Sequence, residues 1–140
     1  MSETYTKHLS GSSTEVVNNP VHTGNADLSS SHSATLKFKE IAASGDVVIN
    51  VDHSATMIIE DLKCKNLTLN VSYASTLKIR KLTCSGTVKI NVSYSSLFVV
   101  DGGAVEATVG VINYSSTGNF FAKIAKPDGV TAKNASTWQT

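Results

Sequence analysis

The stretch Leu67-Thr-Leu-Asn-Val-Ser-Tyr-Ala-Ser-Thr-Leu77 returns 21 positions later as Val88-Lys-Ile-Asn-Val-Ser-Tyr-Ser-Ser-Leu-Phe98. Its central phrase occurs seven times: GSST at Gly11–Thr14, HSAT at His32–Thr35 and His53–Thr56, YAST at Tyr73–Thr76, YSSL at Tyr94–Leu97, YSST at Tyr114–Thr117 and NAST at Asn134–Thr137. Successive phrases begin 21, 21, 20, 21, 20 and 20 residues apart. A period this short, running along the whole chain, is the mark of stacked supersecondary units that cannot bury their apolar faces singly.

Around the phrase, apolar and polar residues alternate. Leu36-Lys-Phe38-Lys, Met57-Ile-Ile59-Glu, Leu77-Lys-Ile79-Arg and Phe98-Val-Val100-Asp follow it. Val47-Val-Ile49-Asn-Val51, Leu67-Thr-Leu69-Asn-Val71 and Val88-Lys-Ile90-Asn-Val92 precede it, after a link holding Ile41, Leu62 or Leu82. Period-two patterning describes strands with one buried face. The reading is all-β: a single-stranded parallel β-helix, or β-solenoid, of about six to seven coils with a repeat of 20–21 residues and two strands per coil. At about 4.8 Å per coil, six intervals make a rod of roughly 30 Å.

The organisation is one domain. Residues 1–30 read as a polar N-terminal capping coil with the loop-like Asn18-Asn19-Pro20, 31–117 as regular coils and 118–140 as an irregular C-terminal coil. There Gly118 and Asn119 are expected to break a strand, and Lys126-Pro127-Asp128-Gly129 to turn. A bare final coil leaves a row of unpaired backbone groups, so a protein partner or a second copy is expected to cover it.

Composition narrows function. The 140 residues carry 12 basic and 11 acidic side chains, net +1, which leaves no basic face for nucleic acid. No run reaches the roughly 20 apolar residues of a membrane span. The start MSETYTKHLS shows no apolar leader region, so the location is left as unknown, with a virion or release by lysis both fitting. Acidic residues are scattered, with Asp52, Glu60 and Asp61 the densest group, and no phosphate loop, nucleophile elbow or zinc spacing occurs. The expectation is no enzyme, no cofactor and no metal.

Several columns invite a function. The outward hydroxyls Ser33, Thr35, Ser54, Thr56, Thr76, Ser95, Ser115 and Thr117 form the candidate binding face, for ice or a glycan. Their plain reading is corner chemistry, since Ser and Thr suit tight bends. His32, His53, Tyr73, Tyr94 and Tyr114 head the phrases. Exposed, they would make a sugar-binding strip; alternation from Val51 and the small residues that follow favour rings that fill the bend from inside. His32 and His53 lack partners for a metal site. Lys39, Glu60, Arg80 and Asp101 alternate in sign down one outward column, which fixes stacking register. Cys64 and Cys84 share a column with Ala43 and Val105 and are expected as buried free thiols, a strained bridge being the alternative. Asn50, Asn70 and Asn91 suit an amide ladder. The N-x-Ser/Thr sequons follow from the repeat and carry no weight.

The two quoted stretches resemble the repeat of the head GIN domain family of bacterial β-solenoids, putative autotransporter adhesins. Coils of that family run on a pattern close to apolar-x-apolar-x-apolar-Ser-Gly-Ala-Ser-x-apolar, and the likeness covers roughly residues 28–120. Here His or Tyr stands where that pattern has Gly. The resemblance implies a right-handed β-helix with surface, adhesive or scaffolding use; the short rod is equally similar to a bacteriophage tail or capsid appendage. The expected function is a non-catalytic structural or adhesion module, a virion or cell-surface accessory, with ligand binding through the Ser-x-Thr face as the alternative.

Overall fold

The computed structural model describes residues 4–121, 123–126, 130–134 and 136–139. Among these there is no helix, and the strands pair in parallel with their equivalents one coil on, giving a β-solenoid of about six turns. Pro127–Gly129 of the expected turn and Ala135 of the seventh phrase lie outside the described residues.

Each coil has three faces rather than two. The first follows the phrase and stacks Thr14–Val17, Thr35–Phe38, residues 56–59, residues 76–79, Leu97–Val100, Thr117–Phe120 and Thr137–Gln139. The second stacks Val21–Thr23 and Ile41–Ala43 on residues 62–64, 82–84, 103–105 and 123–124. The third stacks Thr4–Leu9, Asn25–Ser30, Asp46–Val51, Asn66–Val71, residues 88–92 and residues 108–112. The link of the sequence pattern is therefore a strand in its own right. Too short to show alternation, it escapes a period-two search. In Thr56–Cys64 and Thr76–Val92 the strand runs unbroken round one or both bends.

Inward columns are apolar and sealed. Leu36, Met57, Leu77 and Phe98 stack in register, as do Phe38, Ile59, Ile79, Val100 and Phe120, and Leu28, Ile49, Leu69 and Ile90, all fully buried. Burying one such side chain is worth about 1.5–3 kcal/mol. Gly118 does not break its strand, which runs Thr117–Phe120. It continues the Phe98 column, where a Cβ would lie 2.3 Å from Ile112 Cδ1 and 2.8 Å from the Trp138 ring. Glycine there makes room for its neighbours.

The first coil forms despite its polar composition, but its inward positions change character. Lys7 occupies the column of Leu28, Glu15 occupies the column of Leu36, and the two side chains form an ion pair across the mouth of the solenoid. Glu15 raises the Lys7 pKa above its ordinary value by hydrogen bonding to the ammonium. Beside them Tyr5 sets its ring edge-on to Phe38, centroids 6.2 Å apart. At the other pole Ile124, Val130 and Trp138 pack against the core while staying partly exposed.

The charge column is less regular than its sequence. Arg80 reaches Glu60 at 3.7 Å, but Asp101 is met by Lys78, at 3.9 Å, rather than by Arg80. All four side chains are well exposed, so each pair contributes about 0–1 kcal/mol.

Candidate functional site

The phrase forms the bend between the third and first faces. Its first two residues have positive φ in the six coils where both are described: His32 and Ser33 at 53° and 67°, His53 and Ser54 at 54° and 64°, Tyr73 and Ala74 at 58° and 60°, and so on. Ala34 N–H closes the turn onto Ser31 C=O at 3.2 Å, and Ala55 onto Asp52 at 3.3 Å. Two successive positive φ values inside an i to i+3 turn make a type I′ turn, normally a place for Asn and Gly. All twelve described non-glycine residues with positive φ lie at these two phrase positions. Each such residue costs about 1–2 kcal/mol of backbone energy. Axial hydrogen bonds hold the turns in place: Ser33 N–H donates to His53 C=O (3.0 Å), Ser54 to Tyr73 (2.9 Å), Ala74 to Tyr94 (2.8 Å) and Ser95 to Tyr114 (2.9 Å).

The positive φ pair also reverses the alternation that would have put His53 inside. Filling of the bend by rings, favoured by the sequence, does not occur. His32, His53, Tyr73, Tyr94 and Tyr114 form one exposed ladder, with centroid spacings of 4.7, 5.0, 4.8 and 4.7 Å and interplanar angles of 5°, 16°, 1° and 10°. The three tyrosines keep 45–49% of their surface in solvent. Face-to-face stacking hides the ring faces, so a strip on which sugar rings lie flat is not available; edges and hydroxyls are presented instead. His32 and His53, being parallel, do not converge on one ion. Their Nδ1 atoms lie beside Ser31 Oγ and Asp52 Oδ1, both at 3.2 Å.

The candidate hydroxyl face divides in two. Ser33, Ser54, Ser95 and Ser115 are exposed within the turn, whereas Thr35, Thr56, Thr76 and Thr117 open the next strand and are half-buried. A buried residue separates them in each coil: Ala34, Ala55, Ser75, Ser96 or Ser116. The two columns straddle a bend rather than tiling one plane, and Ala74 and the exposed Leu97 interrupt them. Inside that bend runs a second serine column that the sequence reading missed. Ser75 N–H donates to Ser96 Oγ (3.2 Å), Ser96 N–H to Ser116 Oγ (3.1 Å) and Ser116 N–H to Ser136 Oγ (3.2 Å). The switch from Ala to Ser at the third phrase position was the available signal.

The asparagine ladder forms. Asn70 Nδ2 donates to Asn50 Oδ1 at 3.0 Å and Asn91 Nδ2 to Asn70 Oδ1 at 3.3 Å. It flanks the ring ladder: Asn91, Ser93, Tyr94, Val111, Asn113 and Tyr114, with Val92 beneath, line a depression of about 260 Å³.

Cys64 and Cys84 face each other in register, unbridged and buried. Their thiols meet by a hydrogen bond. The hydrogen bond from the Cys64 thiol lowers Cys84 to about 7 against burial, and the same pairing pushes Cys64 up. Cys84 borders a second open depression with Thr83, Val105, Glu106 and Lys123. Among the described residues, no group of three His, Cys, Asp or Glu side chains suited to a metal occurs, and no helix is long and apolar enough to cross a membrane.

A scan of this chain against models of protein families finds no match, and searches of curated proteins and of solved structures find none either.

Proposed function

We propose that this protein is a non-catalytic structural and adhesive module, a virion or cell-surface accessory that makes contact through its ring-bearing corner. One observation carries the reading. Glycine would occupy the first turn position without strain, yet five successive coils place a His or Tyr there and hold its ring in solvent. Backbone strain kept at an exposed surface is a signature of function more often than of stability. The rod supplies rigidity, since every ring is fixed by its neighbours and by axial hydrogen bonds on both sides.

Beads coated with the protein should adhere under flow to cell envelopes or mucin layers. Beads carrying the triple variant Tyr73→Ser, Tyr94→Ser, Tyr114→Ser should detach several-fold faster. Equal detachment of the two sets would sink the reading. The reading includes a protein partner or second copy over the C-terminal coil, supported by the partly exposed Trp138 and Ile124. Light scattering that returns a strict monomer, with no partner retained from the source, counts against that part.

A further inference from the structure

The ring ladder and the asparagine ladder run side by side along the rod, with a serine column between them. In the coils that carry tyrosine, the positions are Asn70, Ser72 and Tyr73, then Asn91, Ser93 and Tyr94, then Val111, Asn113 and Tyr114. Where Tyr94 and Tyr114 form one wall, the space between is the 260 Å³ depression. We propose that this groove binds a neutral, extended polysaccharide of β-1,4-linked sugars, lying parallel to the rod axis. The inference rests on the adhesive reading and names its ligand.

Four features point to that class. The groove is straight and repeats every 4.7–4.8 Å, so its occupant is linear and built of similar units. An extended β-1,4-linked chain advances slightly farther per sugar and turns alternate sugars over, so over the three tyrosine coils it stays within about one sugar per coil, with like edges recurring on every second coil. None of the nine positions is Lys, Arg, His, Asp or Glu, which suits an uncharged chain and offers a phosphate backbone no counterion.

The polar groups are the right kind. An asparagine amide has two N–H donors, and each of Asn70 and Asn91 spends one on the preceding coil, which leaves the other for a ligand. No hydrogen bond among the described residues engages the hydroxyls of Tyr73, Tyr94 or Tyr114, so each is free to donate and accept. Finally, the backbone of the third face is already paired along the axis from coil to coil, so a peptide cannot add to it as a further strand. The half of the ladder nearer the N-terminal mouth differs: Asp52, His53 and His32 put ionisable groups in the equivalent places. The groove is thus confined to the tyrosine half.

Titration of the full chain with cello- and chito-hexasaccharides, followed by backbone NMR shifts, tests this. Shifts should cluster at residues 70–73, 91–94 and 111–114. The pair Tyr94→Ser, Tyr114→Ser should weaken binding at least about tenfold, the factor carried by one or two lost hydrogen bonds. Asn91→Val should weaken it too. Lys37→Ala, on the first face, should bind as the parent does. Lost ring stacking and a lost ladder hydrogen bond lower the unfolding midpoint modestly by themselves, so backbone shifts left unchanged away from the groove in the folded variants separate lost contacts from lost structure.

No shifts with either hexasaccharide at millimolar concentration, equal binding by the Tyr variants, or preference for a polyanionic glycan or a peptide would each overturn the inference. If coated beads still adhere through the tyrosines while both hexasaccharides fail, the adhesive reading stands and only the ligand is wrong. If both fail, both fall.

Discussion

Two bends of the same coil solve one backbone problem in opposite ways. At the bend between the second and third faces the chain uses glycine where a side chain would strike the preceding coil. A Cβ on Gly45 would lie 2.4 Å from Asn25 Oδ1, and one on Gly86 would lie 2.2 Å from Asn66 Oδ1. The asparagines that exclude it are themselves employed, Asn25 Oδ1 accepting from Asp46 N–H and Asn66 Oδ1 from Thr87 N–H. At the phrase the φ angles favour glycine and the chain supplies His, Tyr, Ser and Ala instead. The first bend is built for close approach. The second retains side chains at a conformational cost.

The comparison breaks most visibly at Gly86. Gly86→Ala forces a methyl group onto Asn66 and onto Lys65 C=O, 2.6 Å away. Stability should fall by about 1–3 kcal/mol in urea unfolding, the range for an overpacked site. Truncating Asn66 to Ala in the same chain should recover only part, because the carbonyl stays.

Ser96→Ala should cost less, about 0.5–1.5 kcal/mol, the net worth of one hydrogen bond. Ser75 N–H loses its acceptor but can swing onto the carbonyl three residues back, as Ala55 N–H already does. A loss above about 3 kcal/mol would mean that the inner serine column is more than a local device.

Tyr94→Gly sharpens the contrast directly. It relieves about 1–2 kcal/mol of backbone energy and forfeits two stacking contacts of about 0.5–1.5 kcal/mol each. The unfolding midpoint should barely move while adhesion drops. A large stabilisation would show that the ring contributes little to the ladder; a large loss would make the ladder structural.

A pH dependence is expected at the glycine bend, where Lys65 C=O receives both Gly86 N–H and the Cys84 thiol. Cys84 ionises near 7 in the folded chain against an ordinary 9.0, whereas Cys64 is raised. Between these values the folded pair holds one proton fewer than the unfolded chain, so stability rises with pH. Above 9.0 the unfolded pair loses both protons while Cys64 keeps its own, so stability falls again. Unfolding across this range should show a maximum near pH 9, absent in Cys84→Ser, and alkylation of Cys84 should gain rate around pH 7.

How much of this was legible beforehand varies with the physics. The inward columns, the Asn50–Asn70–Asn91 ladder and the shared position of Cys64 and Cys84 follow from a period that returns each residue to the same place. The second face was missed because three-residue strands such as Ile41–Ala43 carry too little alternation. The ring ladder was placed inside because alternation was carried through residues that do not continue a strand. Nothing in His53-Ser54 announces positive φ, since those residues seldom adopt it and do so here only because the next coil holds the peptide. The groove was invisible for a related reason: it needs the outward direction of two columns at once.

The ion pair at the N-terminal mouth gives the rod an inherent polarity. A stack of parallel strands is a template for endless addition, the geometry on which fibrils grow. Any strand laid over Thr4–Leu9 would have to bury Lys7 and Glu15, and removing two charges from water costs several kcal/mol per ion before their attraction is counted. The same charges that sit in inward columns here therefore weigh against a bare strand stacking on this face of the first coil.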